Sequence, residues 1–412
     1  MTGSVGDVSS GARHRALPPG PSLAPSLQAL WYHRDPLGFL RWAQRRHGDV
    51  FTVRMPLKDP FVVVAAASEV SRLLHSDPTE ARAGAARRMV LPLASPRSPF
   101  GADGEVHTDV RRRIAPAFDE AKTAGWADAI EQLASDHAAT WPLGRPFRLL
   151  PRMRTLTTTI TVQLVLGIDE PRRARRLVLA IRRMLWTPGN PPLPVPGEGD
   201  GPGGAAVTAV FRRRLARVRR VLGDDPALDL DEWAVVLAAA QEPPAIALTN
   251  VILELARDPE LQEEFAAAGP GPFRRAVIAE VLRLRPSASA ALRRLETTTQ
   301  LGGQTVPAGT TVLVPSPLLH RDPTHFPAPD QLRPERWTHG APEGLPYFPF
   351  GDGARRCLGE ALGRTELDHV LPAVLDHLRF TVAWPRPERM AVRGTVLVPH
   401  RSGLVRSHPP GP

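Results

Sequence analysis

Apolar positions recur at helical spacing over 35–48, DPLGFLRWAQRRHG, and the pattern stops at Gly48. VFTVRM and PFVVVAA, between 50 and 66, read as two short strands around the turn at LKDP. Residues 80–106 have no clear period and hold several Gly and Pro, which predicts a long loop. Helices are predicted over 107–117 and 123–140. LTTTITVQLVLG (156–167) is mostly apolar and β-branched, so periodicity leaves a buried helix and a strand both open. Two arginine-rich helices are expected at 171–185 and 205–222. They flank TPGNPPLPVPGEGDGPGG (187–204), which reads as an interdomain linker or as a flap over a site. From 230 to 285 the pattern is helical again, ending where Arg285 precedes Pro286. Short strands are expected over 291–314, then a Pro-rich stretch to 349, a helix at 357–378 and strands to the end. Residues 1–30, rich in Pro, Gly and Ser, predict an irregular lead-in, and 406–412 a tail. There is no internal repeat.

Of the 412 residues, 42% are apolar and 23% charged, which excludes a mainly disordered or collagen-like chain. No run approaches eighteen apolar residues and the N-terminus has no apolar signal core, so a cytoplasmic protein without a membrane partner is expected. The formal net charge of +10 raises nucleic acid as a ligand. Lys58 and Lys122 are the only lysines among 52 basic residues, and the arginines are dense at 171–183 and 212–220. No zinc-finger or RNP-type motif accompanies them, so no nucleic-acid partner is expected, although such a surface could steer an acidic protein. A single cysteine, Cys357, excludes internal disulfides and multi-cysteine zinc sites.

That cysteine lies in FPFGDGARRCLGEALGRTEL (348–367), where Phe350, Gly351, Gly353, Arg355, Cys357 and Gly359 follow F-G-x-G-x-R-x-C-x-G. Glycines permit a tight loop that turns backbone N–H groups toward one sulfur at a helix start, where the thiolate is favoured. A lone thiolate suits a haem axial ligand better than zinc. Here the sequence resembles the cytochrome P450 family of the soluble bacterial type, from about 30 to 405. The resemblance implies a single domain over 31–405, mainly α with small β-sheets (α+β), with a long central helix over haem b and the thiolate loop beneath. Cys357 would ligate the iron. Glu280 and Arg283 match the ExxR motif, and Arg336 in PERW its third partner. His107 and Arg111 (HTDVR) resemble a propionate-binding HxxxR pair. Arg355 and Arg293 would bind propionates as well, with Arg294 the alternative to Arg293.

The stretch 234–261 resembles the central helix, with one departure. The family shows A-G-x-[DE]-T-[TS], whereas this chain reads Ala239-Ala240-Gln241-Glu242-Pro243-Pro244. Glu242 keeps the acid and is the catalytic candidate. Pro243 replaces the alcohol, and the two prolines remove N–H groups that would bond the carbonyls of Ala239 and Ala240, so a break is predicted. The resemblance implies an oxidoreductase of monooxygenase type, fed by an external ferredoxin and reductase docking near Arg356 and Arg364. Three chemistries stay open. The substrate supplies the lost hydroxyl during oxygen insertion; Glu242 relays protons or contacts substrate by itself; or the reaction is coupling, desaturation, ring formation or peroxide-driven oxidation. A ligand-binding or assembly-recruited accessory is the alternative from another class. Met89, Leu91, Leu93, Leu185 and Trp186 are candidate apolar walls for a small, natural-product-like substrate of secondary metabolism. Ala288–Leu292 and Thr395–Pro399 are expected to face it too.

Overall fold

The computed structural model describes residues 17–56, 59–90, 94–185, 201–223, 229–338, 340 and 344–411, with backbone alone at 185, 201–209, 211 and 231. Two helices open it, α1 (Pro25–Arg34) and α2 (Pro36–His47). Asp35 caps α2 by accepting from the Gly38 N–H, and Gly48 stops it at φ 82°, a conformation a side chain disfavours. Strands β1 (Val50–Val53) and β2 (Phe61–Val64) follow, then α3 (Ala67–Leu74), β3 (Ala81–Arg82) and α4 (Ala83–Arg88). Next come α5 (Gly104–Ile114), α6 (Glu120–Ala124), α7 (Ala127–Ala138), β4 (Phe147–Arg148) and α8 (Leu149–Ile160). The middle of the chain holds α9 (Pro171–Leu185), α10 (Gly201–Leu222), α11 (Leu230–Ala239), α12 (Glu242–Leu255), α13 (Pro259–Ala267) and α14 (Pro272–Leu284). It ends with β5 (Ala291–Leu295), β6 (Thr299–Leu301), β7 (Gln304–Val306), β8 (Thr311–Val314), α15 (Ser316–Leu319), α16 (Glu360–His377), β9 (Arg379–Val382), β10 (Met390–Arg393), β11 (Val396–Pro399) and β12 (Leu404–His408).

The expected mainly helical architecture with small sheets is what forms. One sheet has strand order β1-β2-β8-β5-β3, with β2 and β8 parallel and the other pairs antiparallel. A second runs β4-β12-β9, and β6-β7 and β10-β11 are two-stranded. The main core gathers around α12, whose residues 245–253 are all buried, so it lies at the centre of the helical layer. It packs on α8, α14 and α16, and α16 packs on α7.

Several expectations change. Residues 80–106 hold β3 and α4 rather than one long loop. The lead-in ends at Pro25, where α1 begins, and β12 carries regular structure to His408 into the supposed tail. Residues 156–167 are helical, ending in a π turn at Thr161–Val165. The threonines tolerate this because Thr155, Thr159 and Thr161 donate to the carbonyls four residues back. Gly125 splits the predicted 123–140 helix. Most of the 187–204 segment lies outside the described residues; its last four, 201–204, are helical. Taken across its break, Glu232–Leu255 is a 24-residue stretch apolar and long enough to cross a membrane, which no single apolar run predicted; 67% of its most apolar window is buried inside the protein.

Candidate active site

The cysteine loop is built by two left-handed glycines. Gly351 (φ 70°) and Gly353 (φ 63°) reverse the chain, and a side chain on Gly353 would collide with the Leu74 carbonyl. The Cys357 N–H donates to the Phe350 carbonyl at 2.8 Å, closing the loop just before α16. The sulfur receives the Gly359 N–H. Cys357 reaches accessible surface, yet protein crowds it, and that desolvation pushes the thiol above its ordinary range against the pull of Gly359, Arg111 and Arg87. A bound metal cation would deprotonate the thiol outright.

Around the loop four guanidiniums and an imidazole converge. Arg111 donates to the Arg356 carbonyl at 2.7 Å. Arg293, buried on β5, donates to the carbonyls of Leu74 and Leu292, both at 2.9 Å. Arg294, one residue on, faces the other side of the strand toward Met89, so strand alternation puts only Arg293 in this cluster. Arg355 binds Asp103 at 2.7 Å and the Ala102 carbonyl at 2.7 Å. Arg87, on α4, stands 5.2 Å over the Phe100 ring. Burial and mutual repulsion hold Arg87 down to about 9 and Arg293 to about 10. His107 is pushed down to about 4 by burial and by Arg355, Arg111 and Arg87, so it is neutral at pH 7. Among the described residues Asp103 is the carboxylate that offsets Arg87, Arg293, Arg355 and His107, and it also accepts the Gly84 and Ala85 N–H groups at the start of α4. A surplus of enclosed cation around one carboxylate calls for an anionic ligand, and the carboxylate arms of a haem meet that demand.

Beneath the site, Glu280 and Arg283 are fully buried and pair through two 2.8 Å bonds. Arg336 reaches the same carboxylate at 3.2 Å, as do the Trp337 indole N–H and the Arg333 backbone N–H. The remaining Arg283 donors go to the His320, Pro329 and Gln331 carbonyls, so the buried charge is paired and saturated.

The central helix breaks where the prolines predict. α11 stops at Ala239, Ala240 and Gln241 form a turn, and α12 restarts at Glu242 with proline in its first turn, where no N–H is needed. The backbone of the break is held from α8: the Thr157 hydroxyl donates to the Gln241 carbonyl at 2.9 Å, a carbonyl that also accepts the Ala245 N–H, while the Thr161 hydroxyl just beyond α8, committed to the Thr157 carbonyl, lies 3.5 Å from the Ala240 carbonyl. The Thr158 hydroxyl bonds the Gln241 side chain. Glu242 turns to the same neighbour, in a bidentate pair with Arg154, one bond at 2.8 Å.

The family model for cytochrome P450 matches residues 271–405, which include the Glu280 cluster and the cysteine loop. Cytochrome P450 138 of Mycobacterium tuberculosis is 30% identical over 94% of this chain and 96% of its own length. The chain belongs to the cytochrome P450 family. P450 135B1 of Mycobacterium bovis is 27% identical over 96% of this chain and 92% of its own. Among solved structures, a retinoic acid-bound cyanobacterial P450, CYP120A1, superposes with a TM-score of 0.74 at 20% identity over 96% of this chain and 99% of that one. CYP175A1 of Thermus thermophilus does so at 0.71, 25% identity, 93% and 96%. This P450 is accordingly a haem-thiolate oxidoreductase of monooxygenase type with haem b as its cofactor.

Two of the segments expected to face the substrate meet. The Ser289 N–H and hydroxyl both donate to the Thr395 carbonyl, and the Ser287 hydroxyl donates to that of Pro243. Met89 is half-buried, and its sulfur accepts from Thr311 at 3.3 Å. Leu91, Leu93 and Trp186, and the Leu185 side chain, lie outside the described residues. On the cysteine side, Arg356 and Arg364 both pair with Glu360, so that face is less basic than expected. The sequence reading missed Arg87 and Asp103. The Ala- and Arg-rich EARAGAARRM could have signalled α4 and hence Arg87; nothing in the sequence places Asp103 beside Arg355.

Proposed function

We propose that this P450 modifies a small organic, natural-product-like substrate without a protein acid–alcohol pair at the distal face. Cys357 would provide the sulfur that ligates the haem iron. Arg87, Arg111, Arg293 and Arg355 would hold the propionates with neutral His107 as a hydrogen-bond donor, while Phe350, Gly351 and Gly359 shape the loop. When bound, haem supplies oxidation of the substrate with dioxygen. Support for the cradle is its surplus of enclosed cations around Asp103.

The observation that carries the distal reading is the commitment of Glu242 to Arg154 beside a proline that has no hydroxyl. Glu242, the sequence-based catalytic candidate, is thereby a fastener between α8 and the central helix rather than a group aimed at substrate. Orientation and proton supply at the break then fall to the substrate's own hydroxyl or to water. The reaction is oxygen insertion assisted in this way, or coupling or ring closure. A ligand-shift screen identifies binders, and product analysis follows with a ferredoxin–reductase pair and with hydrogen peroxide. With the native substrate, Pro243→Thr lowers the fraction of electrons coupled to product; unchanged turnover and coupling refute the reading.

The second reading is a haem-thiolate protein that binds a ligand or joins an assembly without turnover, and the same missing pair favours it. It requires spectral shifts with no product under either oxidant. An external ferredoxin remains the proposed electron donor for a cytoplasmic enzyme. Docking at Arg356 and Arg364 predicts reduction slowed by salt, weakly because Glu360 already offsets both.

A further inference from the structure

The excess charge of this protein is not spread evenly. Helices α9 and α10 contain twelve arginines and no Asp or Glu. Against a chain total of +10, the rest of the chain sums to −2. On α9 the arginines are arranged. Arg172, Arg175, Arg176 and Arg183 share one exposed face at helical spacing, centred on Leu179, which is 41% exposed. The opposite face, including Leu177, Ile181 and Met184, is buried in the core. Glu170 accepts the Arg172 backbone N–H at 2.9 Å, but among the described residues no carboxylate pairs with the guanidinium of any of those four arginines, and three of them with Leu179 line an open surface depression.

We propose that this face of α9 docks an acidic protein, which presents carboxylates to the arginines and an apolar side chain to Leu179. The pattern is that of a protein interface, an apolar centre inside a charged rim. A leucine shorter than the arginines around it cannot project past them into lipid, and the stripe carries no aromatic or amide side chain to read bases. The partner meets the molecule away from the cysteine. α9 and α10 rest on α8 and α11, whereas α16, which follows Cys357, rests on α7 and α12. The partner therefore acts on the substrate side, leaning on the first half of the central helix, and this inference stands apart from the distal chemistry proposed above.

The test uses the full-length haem-loaded protein and three probes: a helical glutamate-rich peptide bearing leucines, vesicles of phosphatidylglycerol and phosphatidylcholine, and duplex DNA. The peptide binds most tightly. Replacing Arg172, Arg175 and Arg176 together by Glu weakens it about tenfold or more, and replacing them by Lys largely preserves it. Leu179→Ser weakens it about threefold with the salt dependence unchanged. Tighter binding of vesicles or DNA, indifference to either the charge reversal or Leu179→Ser, or no binding of any probe overturns the proposal.

Discussion

Asp103 is the residue whose removal tests the cradle most sharply. Its carboxylate accepts the Gly84 and Ala85 N–H groups at 2.7 and 2.8 Å and the Arg355 guanidinium at 2.7 Å. The side chains of Arg355 and Asp103 are only 9% and 13% exposed, so solvent screens the pair little. Losing a charge-assisted hydrogen bond of this kind costs about 1.5–3 kcal/mol, and losing a side chain that caps first-turn N–H groups, as an N-cap does, about 1 kcal/mol. Asp103→Ala is therefore expected to destabilise the haem-loaded protein by about 3 kcal/mol, and Asp103→Asn, which keeps a capping oxygen, by about half as much. Urea denaturation reads the difference, and haem transfer to excess apomyoglobin reads the grip on the cofactor. Both variants should also lose haem faster, because α4 carries Arg87 and the loop carries Arg355. A change below about 0.5 kcal/mol for Asp103→Ala, within the range of ordinary surface substitutions, refutes the reasoning.

Glu280→Ala leaves the fully buried Arg283 without its counter-charge, at a cost of about 3–5 kcal/mol. Against a total stability of about 5–15 kcal/mol, it should sharply reduce the yield of haem-loaded protein, with Glu280→Gln milder; equal yields contradict this. His107 and His320 are held down to about 4 and about 3, chiefly by burial. Unfolded histidine titrates near 6.5, so their stabilisation is complete above that pH and drains as pH falls toward these values. Urea midpoints should drop between pH 6.5 and 4, and His107→Asn should flatten that slope; an unaltered slope contradicts it. Glu366 is fully buried, neither oxygen has a hydrogen-bond partner among the described residues, and burial raises it well above the ordinary carboxylate range. Its stabilisation is present at low pH and lost as pH rises above the unfolded value. Glu366→Gln should hence stabilise the protein at pH 8 and change little at pH 4, measured by thermal melts; destabilisation at pH 8 refutes a neutral Glu366.

What the sequence made legible was local. The cysteine loop could be read because glycine at Gly351 and Gly353 is demanded by left-handed backbone, and the break at Gln241 because proline lacks an N–H. Arg293 could not be told from Arg294 until β5 had a sheet to face. The direction of Glu242 was hidden for a different reason. A residue at a helix start can turn either way, and the choice was made by Arg154, 88 positions earlier, on a helix whose later residues, from 156, periodicity could not separate from a strand. Charge behaved likewise: the dense arginine runs were visible, but only the packing of α9 shows that one stripe surrounds an exposed leucine. Arg356 and Arg364 read as bare cations in the sequence, whereas the fold sets Glu360 between them, one turn from each.

The central claim, that Cys357 would supply the sulfur ligand of the haem iron, is tested by the absorption spectrum of the reduced, carbon monoxide-bound protein. The wild type should give the long-wavelength Soret band of thiolate ligation, and Cys357→His should give the shorter-wavelength band of an imidazole-ligated haem. A wild-type band already at the imidazole position, or a thiolate band that survives the replacement, contradicts the account.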